Sequence, residues 1–268
     1  MANRGRSNNP FGDTVERLIV DRDNPSAVME KVGGREFGVV FDTSAYNATY
    51  VEQLLSVVKT DYYIQFSSNA VYKVLKNNLY ETDFNPVGFN SSDFNPADAR
   101  FTTGDFSYQM GKRAAEKASL GFEVKNLCIR IPYVGSLDDL SKRLIWFVDN
   151  IRKGISMQVS RAHYDRRFAM AHTSEAGKFA VYAYEHGLIG AYNIASEGIV
   201  SVRAIVEYIE KRLGKKADIV WSDANHCHYN NVPENSLNTD KAKSAGYRFM
   251  HIDEWLWETL DSLCAPSP

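Results

Sequence analysis

The chain has 268 residues, of which 44% are hydrophobic and 24% charged, and its formal net charge is −2 at pH 7. This composition is typical of a soluble globular protein with one sizeable core, and the small net charge gives no electrostatic reason to expect binding to nucleic acid or to a membrane. Three scattered cysteines and the lack of a long apolar run argue against a disulfide framework and a membrane span, and favour a cytoplasmic location.

Strands alternate with amphipathic helices along most of the chain, which predicts an α/β fold with a mainly parallel sheet. The first half predicts strands over residues 15–21, 37–41 and 62–66, with helices that begin at Pro25 and after Asn47. The second half predicts helices over 106–119, 137–152, 174–186, 202–213 and 253–263, and strands over 126–131, 192–194 and 218–221. Residues 73–104 form a long polar stretch, which is typical of a functional lid or of a loop with some structure of its own.

The sharpest functional signal is the segment Tyr108-Gln109-Met110-Gly111-Lys112 on the helix predicted over 106–119. A spacing of four residues places Tyr108 and Lys112 on one helical face. An ammonium group near a phenol favours the phenolate, so we expect Lys112 to lower the pKa of Tyr108 and make it a usable acid or base. The same spacing is common on ordinary helices, so the motif depends on its context.

Two polar turns that follow apolar strands supply this context. The strand over 62–66 ends in Ser67-Ser68-Asn69-Ala70-Val71-Tyr72, and the strand over 126–131 leads into Pro132-Tyr133-Val134-Gly135. Ligands bind at the carboxyl ends of the strands in open α/β sheets. A serine hydroxyl in the first of these turns is therefore expected to hydrogen-bond a substrate oxygen while Tyr108 transfers a proton.

These three features resemble the extended short-chain dehydrogenases/reductases, especially the NAD-dependent epimerase/dehydratase family. Segments 167–176, 192–195 and 238–242 are similar to later motifs of that family, and the resemblance covers residues 3 to 260. It implies a Rossmann-like doubly wound parallel sheet with a small C-terminal α/β substrate lobe. Residues 1–135 would form the cofactor domain with the catalytic residues, and residues 136–268 the late sheet elements and the substrate-binding lobe.

The resemblance also implies roles for individual residues. Ser68, Tyr108 and Lys112 are catalytic, and hydride passes to and from NAD or NADP while Tyr108 carries a proton at a sugar hydroxyl or carbonyl. The residues implied to contact NAD(P) are Arg4, Asp21, Thr43, Ser44, Ala45, Lys112, Pro132 and Tyr133. Asn69 and Arg167 are implied to bind a nucleotide-sugar substrate, and helices over 48–59 and 106–119 to form a homodimer.

Two of these basic residues have alternative interpretations. Arg4 can meet the 2′-phosphate of NADP, or it is a solvent-exposed arginine. Arg167 belongs to a basic cluster with Arg161, His163 and Arg166. The cluster can pair with the substrate diphosphate, or it forms a solvated surface turn.

The first βαβ unit of the family, with its Gly-x-x-Gly-x-x-Gly turn, has no counterpart in the sequence, and residues 3–5 align with the end of the second strand. In the family's strand order 3-2-1-4-5-6, the missing strands 1 and 2 lie between strands 3 and 4. Without them, residues 15–21 are separated from the sheet and the apolar edge of residues 37–41 has no neighbouring strand. Such an unpaired edge is an aggregation hazard. Three explanations stay open: an upstream segment that the recorded chain omits, which we favour; a natural loss with the edge filled by another chain or by a rearranged N-terminus; or a fragment.

The segment His226-Cys227-His228, with Asp223 nearby, is not predicted to bind a metal. Adjacent residues cannot easily all point at one ion, and no second ligand pair follows at zinc-finger spacing. Two functions remain. The first is an NAD(P)-dependent enzyme that epimerises, dehydrates or reduces a nucleotide sugar. The second is a non-catalytic binding or regulatory protein on a degenerate dehydrogenase scaffold that has lost cofactor binding.

Overall fold

The computed structural model describes residues 1–6, 9, 11–93, 106–222, 227–229 and 232–265. The α-helices of these ranges are α1 (Pro25–Val32), α2 (Ala48–Leu55), α3 (Phe106–Ser119), α4 (Arg143–Lys153), α5 (Thr173–Glu185), α6 (Val202–Leu213), α7 (Asp240–Ser244) and α8 (Leu256–Cys264). The strands are β1 (Ala2–Asn3), β2 (Leu18–Ile19), β3 (Glu36–Phe37), β4 (Val40–Asp42), β5 (Lys59–Thr60), β6 (Tyr62–Ser68), β7 (Lys125–Ile131), β8 (Tyr133–Gly135), β9 (Met157–Val159), β10 (Arg167–Phe168), β11 (Met170–His172), β12 (Gly190–Asn193), β13 (Val200–Ser201) and β14 (Ile219–Trp221). Within these ranges, we find no helix with both the length and the apolar character needed to cross a membrane.

Four parallel strands form the central sheet, in the order β12-β7-β6-β4. Helices α2 and α3 cover one face of the sheet through a core around Tyr63 and Ala115. Helix α5 covers the other face, where Phe179 packs against Ile64 and its neighbours. Helices on both faces of a parallel sheet confirm the predicted doubly wound fold.

Local sequence signals explain where several helices begin and end. The side chain of Asn24 caps α1, and Pro25 occupies its first turn, so the helix begins where the sequence predicts. Asn47 caps α2 in the same way. Helix α6 has the predicted bounds, and it ends at Gly214, whose φ of 63° lies in the left-handed region that favours glycine.

The helix predicted over 137–152 begins six residues later, at Arg143. Lys142 has a φ of 54°, which a helix interior excludes. The turn before it is held by Asp139, whose carboxylate accepts a hydrogen bond from the backbone N–H of Ser141 at 2.9 Å. The late start places Arg143 in the first turn of α4.

The apolar strand predicted over 37–41 is divided by Gly38 and Val39 into β3 and β4. The two pieces keep one parallel register, because residue 36 lies opposite residue 59 and residue 40 lies opposite residue 63. Strand β4 is the outer strand of the described sheet and Phe41 is 42% exposed, in agreement with the edge position that the strand-order argument predicts.

The N-terminal strands β1 and β2 form a separate parallel pair. The strand predicted over 15–21 is therefore shorter than expected and lies outside the four-stranded sheet, as the strand-order argument predicts. The segment is still attached to the rest of the fold. Leu18 and Val20 pack in a small core with Val28 of α1 and Val40 of β4.

A second core lies in the later part of the chain, where α4, α6 and α8 pack together around Phe147 and Ile205. Strands β9 and β14 form a parallel pair at its edge. Strand β12 belongs instead to the central sheet, and helix α5 packs on that sheet. The later half of the chain therefore contributes both to the central sheet and to the lobe around this second core. The domain boundary at residue 135 stays a prediction.

The long polar stretch predicted over 73–104 is described as far as residue 93, and the rest of it lies outside the described residues. It contains short 3-10 turns at Glu81–Asp83 and Ser91–Asp93. Arg130 donates hydrogen bonds to the backbone carbonyls of Glu81 and Phe84, at 2.6 and 3.0 Å. This part of the stretch is thus bonded to the central sheet.

Candidate active site

Ser68 and Tyr108 come together from two different elements. Ser68 is the last residue of β6, and Tyr108 lies in the first turn of α3. A side-chain hydrogen bond joins them. The Ser68 Oγ also accepts a hydrogen bond from the backbone N–H of Ala70 at 3.1 Å, and the buried Asn69 lies beside it, with Oδ1 at 3.4 Å. Ser68 and Tyr108 therefore meet at the carboxyl end of the sheet.

Lys112 lies one turn further along α3 and is buried. Its Nζ donates a hydrogen bond to the backbone carbonyl of Phe66 at 2.8 Å, which ties α3 to β6. The same ammonium lies over the rings of Tyr46 and Tyr108, at 4.7 and 5.8 Å from their centroids. These are cation–π distances, so Lys112 contacts the face of the Tyr108 ring.

Burial raises the pKa of Tyr108 above its ordinary value of 10.0, because the phenolate is poorly solvated there. The hydrogen bond from Ser68 and the charge of Arg143 act in the opposite direction, whereas Tyr46 adds to the increase. The expected lowering of this pKa by Lys112 is wrong for this arrangement, because the ammonium reaches the ring face and a backbone carbonyl. At neutral pH Tyr108 is a phenol.

Burial lowers the pKa of Lys112 to about 8. The carboxylates of Asp42 and Glu116 act against this decrease, and the guanidinium of Arg22 adds to it. Lys112 is therefore a cation at pH 7 and loses its proton as the pH rises through about 8.

Arg143 is a site residue that the sequence analysis missed. Its guanidinium lies 5.6 Å from the ring centroid of Tyr133, which follows the buried Pro132. Burial raises the pKa of Tyr133 to about 12, against the effect of Arg143 and together with that of Tyr108. The charge of Arg143 thus acts to lower the pKa of both Tyr108 and Tyr133. The only signal in the sequence is a basic residue in an amphipathic segment, and no spacing connects it to Tyr108.

An ion pair that the sequence analysis also missed joins the turn after β2 to the end of β4. Arg22 donates two hydrogen bonds to the carboxylate of Asp42, at 2.5 and 2.6 Å. Asp42 is buried and also accepts a hydrogen bond from the hydroxyl of Tyr63 at 2.7 Å. Asp21 and Thr43, two of the predicted NAD(P) contacts, are the immediate sequence neighbours of this pair.

The other predicted cofactor residues differ in their surroundings. Ala45 is fully buried, Ser44 donates its backbone N–H to the Asp42 carboxylate at 2.9 Å, and Thr43 is exposed. This loop leads directly into Tyr46, which contacts Lys112. Arg4 is exposed beside the β1–β2 pair, and Asp21 is exposed beyond the end of β2.

Arg167 lies in β10 with its side chain exposed and donates a hydrogen bond to the carbonyl of Ile199 at 3.0 Å. Its neighbour Phe168 packs against Tyr133 instead, with ring centroids 5.8 Å apart. Successive residues of a strand point to opposite faces, so Arg167 points away from this contact. Its predicted role toward the substrate stays a prediction.

The three cysteines Cys128, Cys227 and Cys264 are free thiols. Burial raises the pKa of each of them, that of Cys227 to about 12. Asp223 and His226, the other residues of the segment discounted as a metal site, lie outside the described residues.

The residues around Tyr108 fit the nicotinamide end of NAD(P), because they combine a phenol, a hydroxyl and a buried ammonium at the carboxyl end of a parallel sheet. The glycines of the N-terminal segment do not fit the pyrophosphate end. A Cβ at Gly12 or Gly34 would meet open space, and Gly33 ends α1. A pyrophosphate turn needs glycines at a helix N-terminus, where a Cβ would block the ligand. The described residues therefore supply groups for one end of the dinucleotide.

The sheet order and the two helical layers define a Rossmann-like α/β fold. The chain is similar to a candidate epimerase from Burkholderia cenocepacia, with 17% identity over 97% of this chain and 87% of the other, and a TM-score of 0.72. UDP-glucuronic acid 4-epimerase from Bacillus cereus, solved with NAD, has 16% identity over 94% of this chain and 80% of its own, with a TM-score of 0.67. dTDP-glucose 4,6-dehydratase from Bacillus anthracis, also solved with NAD, has 14% identity over 94% of this chain and 80% of its own, with a TM-score of 0.68.

No family model matches the sequence, and no curated protein matches it. The similarity to the solved structures therefore shows the fold, and the chemistry depends on this chain's own residues.

Proposed function

We propose that this chain is an NAD(P)-dependent enzyme of the epimerase/dehydratase type that acts on a hydroxyl or carbonyl group of a nucleotide sugar. One observation carries the proposal: Ser68 is hydrogen-bonded to Tyr108 while the Lys112 ammonium lies over the Tyr108 ring. The Bacillus cereus and Bacillus anthracis proteins, which share the fold, are named for nucleotide-sugar substrates and hold NAD.

In the proposed reaction Ser68 holds the substrate oxygen by a hydrogen bond, and Tyr108 exchanges a proton with that oxygen. NAD(P), when bound, supplies or accepts the hydride. Because burial raises the pKa of Tyr108, its resting form at neutral pH is the phenol, which donates a proton. The charge of Arg143, which acts to lower the pKa of Tyr108, stabilises the phenolate that donation leaves behind.

The proposed cofactor contacts divide into two groups. Lys112, Pro132, Tyr133 and the loop 43–45 are proposed to hold the nicotinamide ribose end, since all of them lie around Tyr108 or lead into its neighbour Tyr46. Arg4 and Asp21 are proposed to meet the adenosine end. Asn69 is proposed to contact the substrate beside Ser68, and Arg167 its diphosphate.

Equilibrium titration with NADH and NADPH, followed by fluorescence, tests the proposal. We expect saturable binding of at least one of the two. We also expect Tyr108→Phe to lower turnover of UDP- or dTDP-sugars by about 10²-fold or more, with cofactor affinity and circular dichroism unchanged. Wild-type turnover by Tyr108→Phe would remove Tyr108 from the mechanism.

A non-catalytic scaffold is the second candidate, and the Arg22–Asp42 ion pair favours it. This pair ties together the two segments that are proposed to lie along the cofactor. The described residues also contain no glycine-rich turn at a helix N-terminus. Absence of NADH and NADPH binding at about millimolar ligand supports this candidate. If the Arg22–Asp42 pair itself closes the space between the two segments proposed to lie along the cofactor, Arg22→Gln should bind NADH more tightly than the wild type.

We also propose a homodimer formed through α2 and α3, and a cytoplasmic location consistent with three free thiols. Light scattering tests the dimer directly, and a mass equal to that of one chain at all concentrations contradicts it.

A further inference from the structure

A cavity of about 350 Å³ lies beside the C-terminal end of α3. Its walls come from α3, β7, β12, α7 and the segment 81–86. None of the lining residues belongs to the Ser68–Tyr108–Lys112 group. The volume is near the lower end of the range for small-molecule pockets, about 300–1,000 Å³.

Two of the four charged side chains that line the cavity are bonded to each other. Arg130 and Glu116 are fully buried and form an ion pair at 2.8 Å. Arg130 also donates to two backbone carbonyls, and Glu116 accepts a hydrogen bond from the hydroxyl of Ser67 at 2.5 Å. This pair is a satisfied part of the wall.

The other two charged groups, Lys241 and Glu81, form no ion pair with each other in the described part of the chain. The Lys241 Nζ donates a hydrogen bond to the carbonyl of Ala191 at 2.6 Å, which uses one of its three N–H groups. One Glu81 carboxylate oxygen accepts a hydrogen bond from the backbone N–H of Asn193 at 2.8 Å. Burial lowers the pKa of Lys241, and Glu81 acts against the decrease, so the two charges interact across the cavity.

Asn126 adds a buried donor to the same wall. Its Oδ1 accepts from the thiol of Cys128 at 3.4 Å, which orients the amide, and its Nδ2 is buried without a hydrogen-bond partner among the described residues. Asn126 is the neighbour of Leu127, which pairs with Gly190. A Cβ at Gly190 would be 3.6 Å from the Lys241 Nζ. The amide donor and the ammonium both line the cavity.

We propose that this cavity binds a small zwitterion, namely an α-amino acid with an apolar side chain. Its carboxylate is received by the Lys241 ammonium and the Asn126 amide, and its ammonium by Glu81. Its side chain lies against Phe84 and Leu120. The charges of the lining side chains sum to zero, so a zwitterion keeps the cavity neutral, whereas a ligand with a single charge adds an unbalanced charge beside Lys241 and Glu81.

Calorimetric titration of the full chain with L-phenylalanine, phenylacetate and 2-phenylethylamine tests the charge requirement. We expect L-phenylalanine to bind with a Kd below about 1 mM, and each singly charged analogue to bind at least about tenfold more weakly. Equal affinity for the three compounds overturns the proposal, as does a lack of saturable L-phenylalanine binding up to about 10 mM.

Variants locate the site independently. Lys241→Gln should weaken L-phenylalanine binding at least about tenfold, whereas Lys243→Gln, on the same helix and outside the cavity, should bind as the wild type does. Ala191→Leu should abolish binding by filling the cavity, with circular dichroism showing that the fold is retained. Wild-type affinity in both Lys241→Gln and Ala191→Leu excludes this cavity.

Discussion

Gly111 lies directly against the backbone carbonyl of Tyr46, so that a Cβ at residue 111 would be 2.2 Å from that oxygen. The glycine inside the Tyr108–Lys112 segment thus lets α3 approach the loop that follows β4. This approach brings the ring of Tyr46 to the Lys112 ammonium.

We expect Gly111→Ala to lower the free energy of unfolding by about 1–3 kcal/mol, because the added methyl group meets a backbone atom that cannot rotate away. Gly177→Ala is the matched control, since a Cβ there meets nothing within 4 Å inside α5. This control should raise stability by about 0.5–1 kcal/mol through helix propensity. Urea denaturation measures both, and the prediction fails if the two variants change stability in the same direction.

The buried pair Arg130–Glu116 leads to a second stability prediction. Arg130→Met should lower the free energy of unfolding by about 3–5 kcal/mol, because it leaves the Glu116 carboxylate buried and unpaired. Arg35→Met removes one member of an exposed pair with Glu16 and should cause no measurable change. Equal urea midpoints for the two variants would contradict the prediction, because removing Arg130 from the buried pair would then cost no more stability than removing Arg35 from the exposed pair.

The pH dependence of cofactor binding is predicted from Lys112. Its pKa is lowered to about 8, so the cation is lost as the pH rises through that value, and NADH or NADPH affinity should fall there. Lys112→Met should bind weakly and without this dependence. For stability the sign is opposite: the unfolded chain holds this proton more tightly, so the Lys112 contribution becomes more favourable from about pH 8 towards 10.5. Fluorescence titrations between about pH 6.5 and 9.5 decide the binding prediction.

Arg143 lowers the pKa of Tyr108, so its removal should shift the pH at which Tyr108 ionises. We expect Arg143→Gln to move the alkaline limb of the turnover profile to higher pH. Ser68→Ala should move it in the same direction and lower turnover by about 10²–10⁴-fold, because it also removes a substrate contact. Lys142→Gln, at the exposed neighbouring position, should leave the profile unchanged. A shifted limb in Lys142→Gln but not in Arg143→Gln would contradict the assignment.

Helices with strong periodicity and clear caps were predictable from the sequence. The bounds of α6 agree with the prediction, and Asn24 and Asn47 cap the helices that follow them. The three-residue strands β8, β9 and β11 were not predictable, because they are too short to show periodicity and exist only through pairing with distant strands. The start of α4 was misplaced because the left-handed backbone of Lys142 follows from the tertiary structure.

The same distinction applies to the candidate site. Ser68, Tyr108 and Lys112 were predictable because strand ends and a helical spacing of four residues are local features. Arg143 and the Arg22–Asp42 pair were not, since side chains from distant segments meet there only after folding. The direction of the Tyr108 pKa shift was also missed, because burial dominates it and depends on every element packed around the ring.

The raised pKa of all three native thiols has a practical consequence for labelling. Thiolates are the reactive form of cysteine, so these side chains should react slowly with maleimides and iodoacetamides at neutral pH. A reporter cysteine introduced in place of the exposed Phe41 can then be labelled selectively without replacing any native cysteine. A dye at that position lies on the outer strand β4, next to Asp42. It can report whether the segment that contains Arg22 separates from β4.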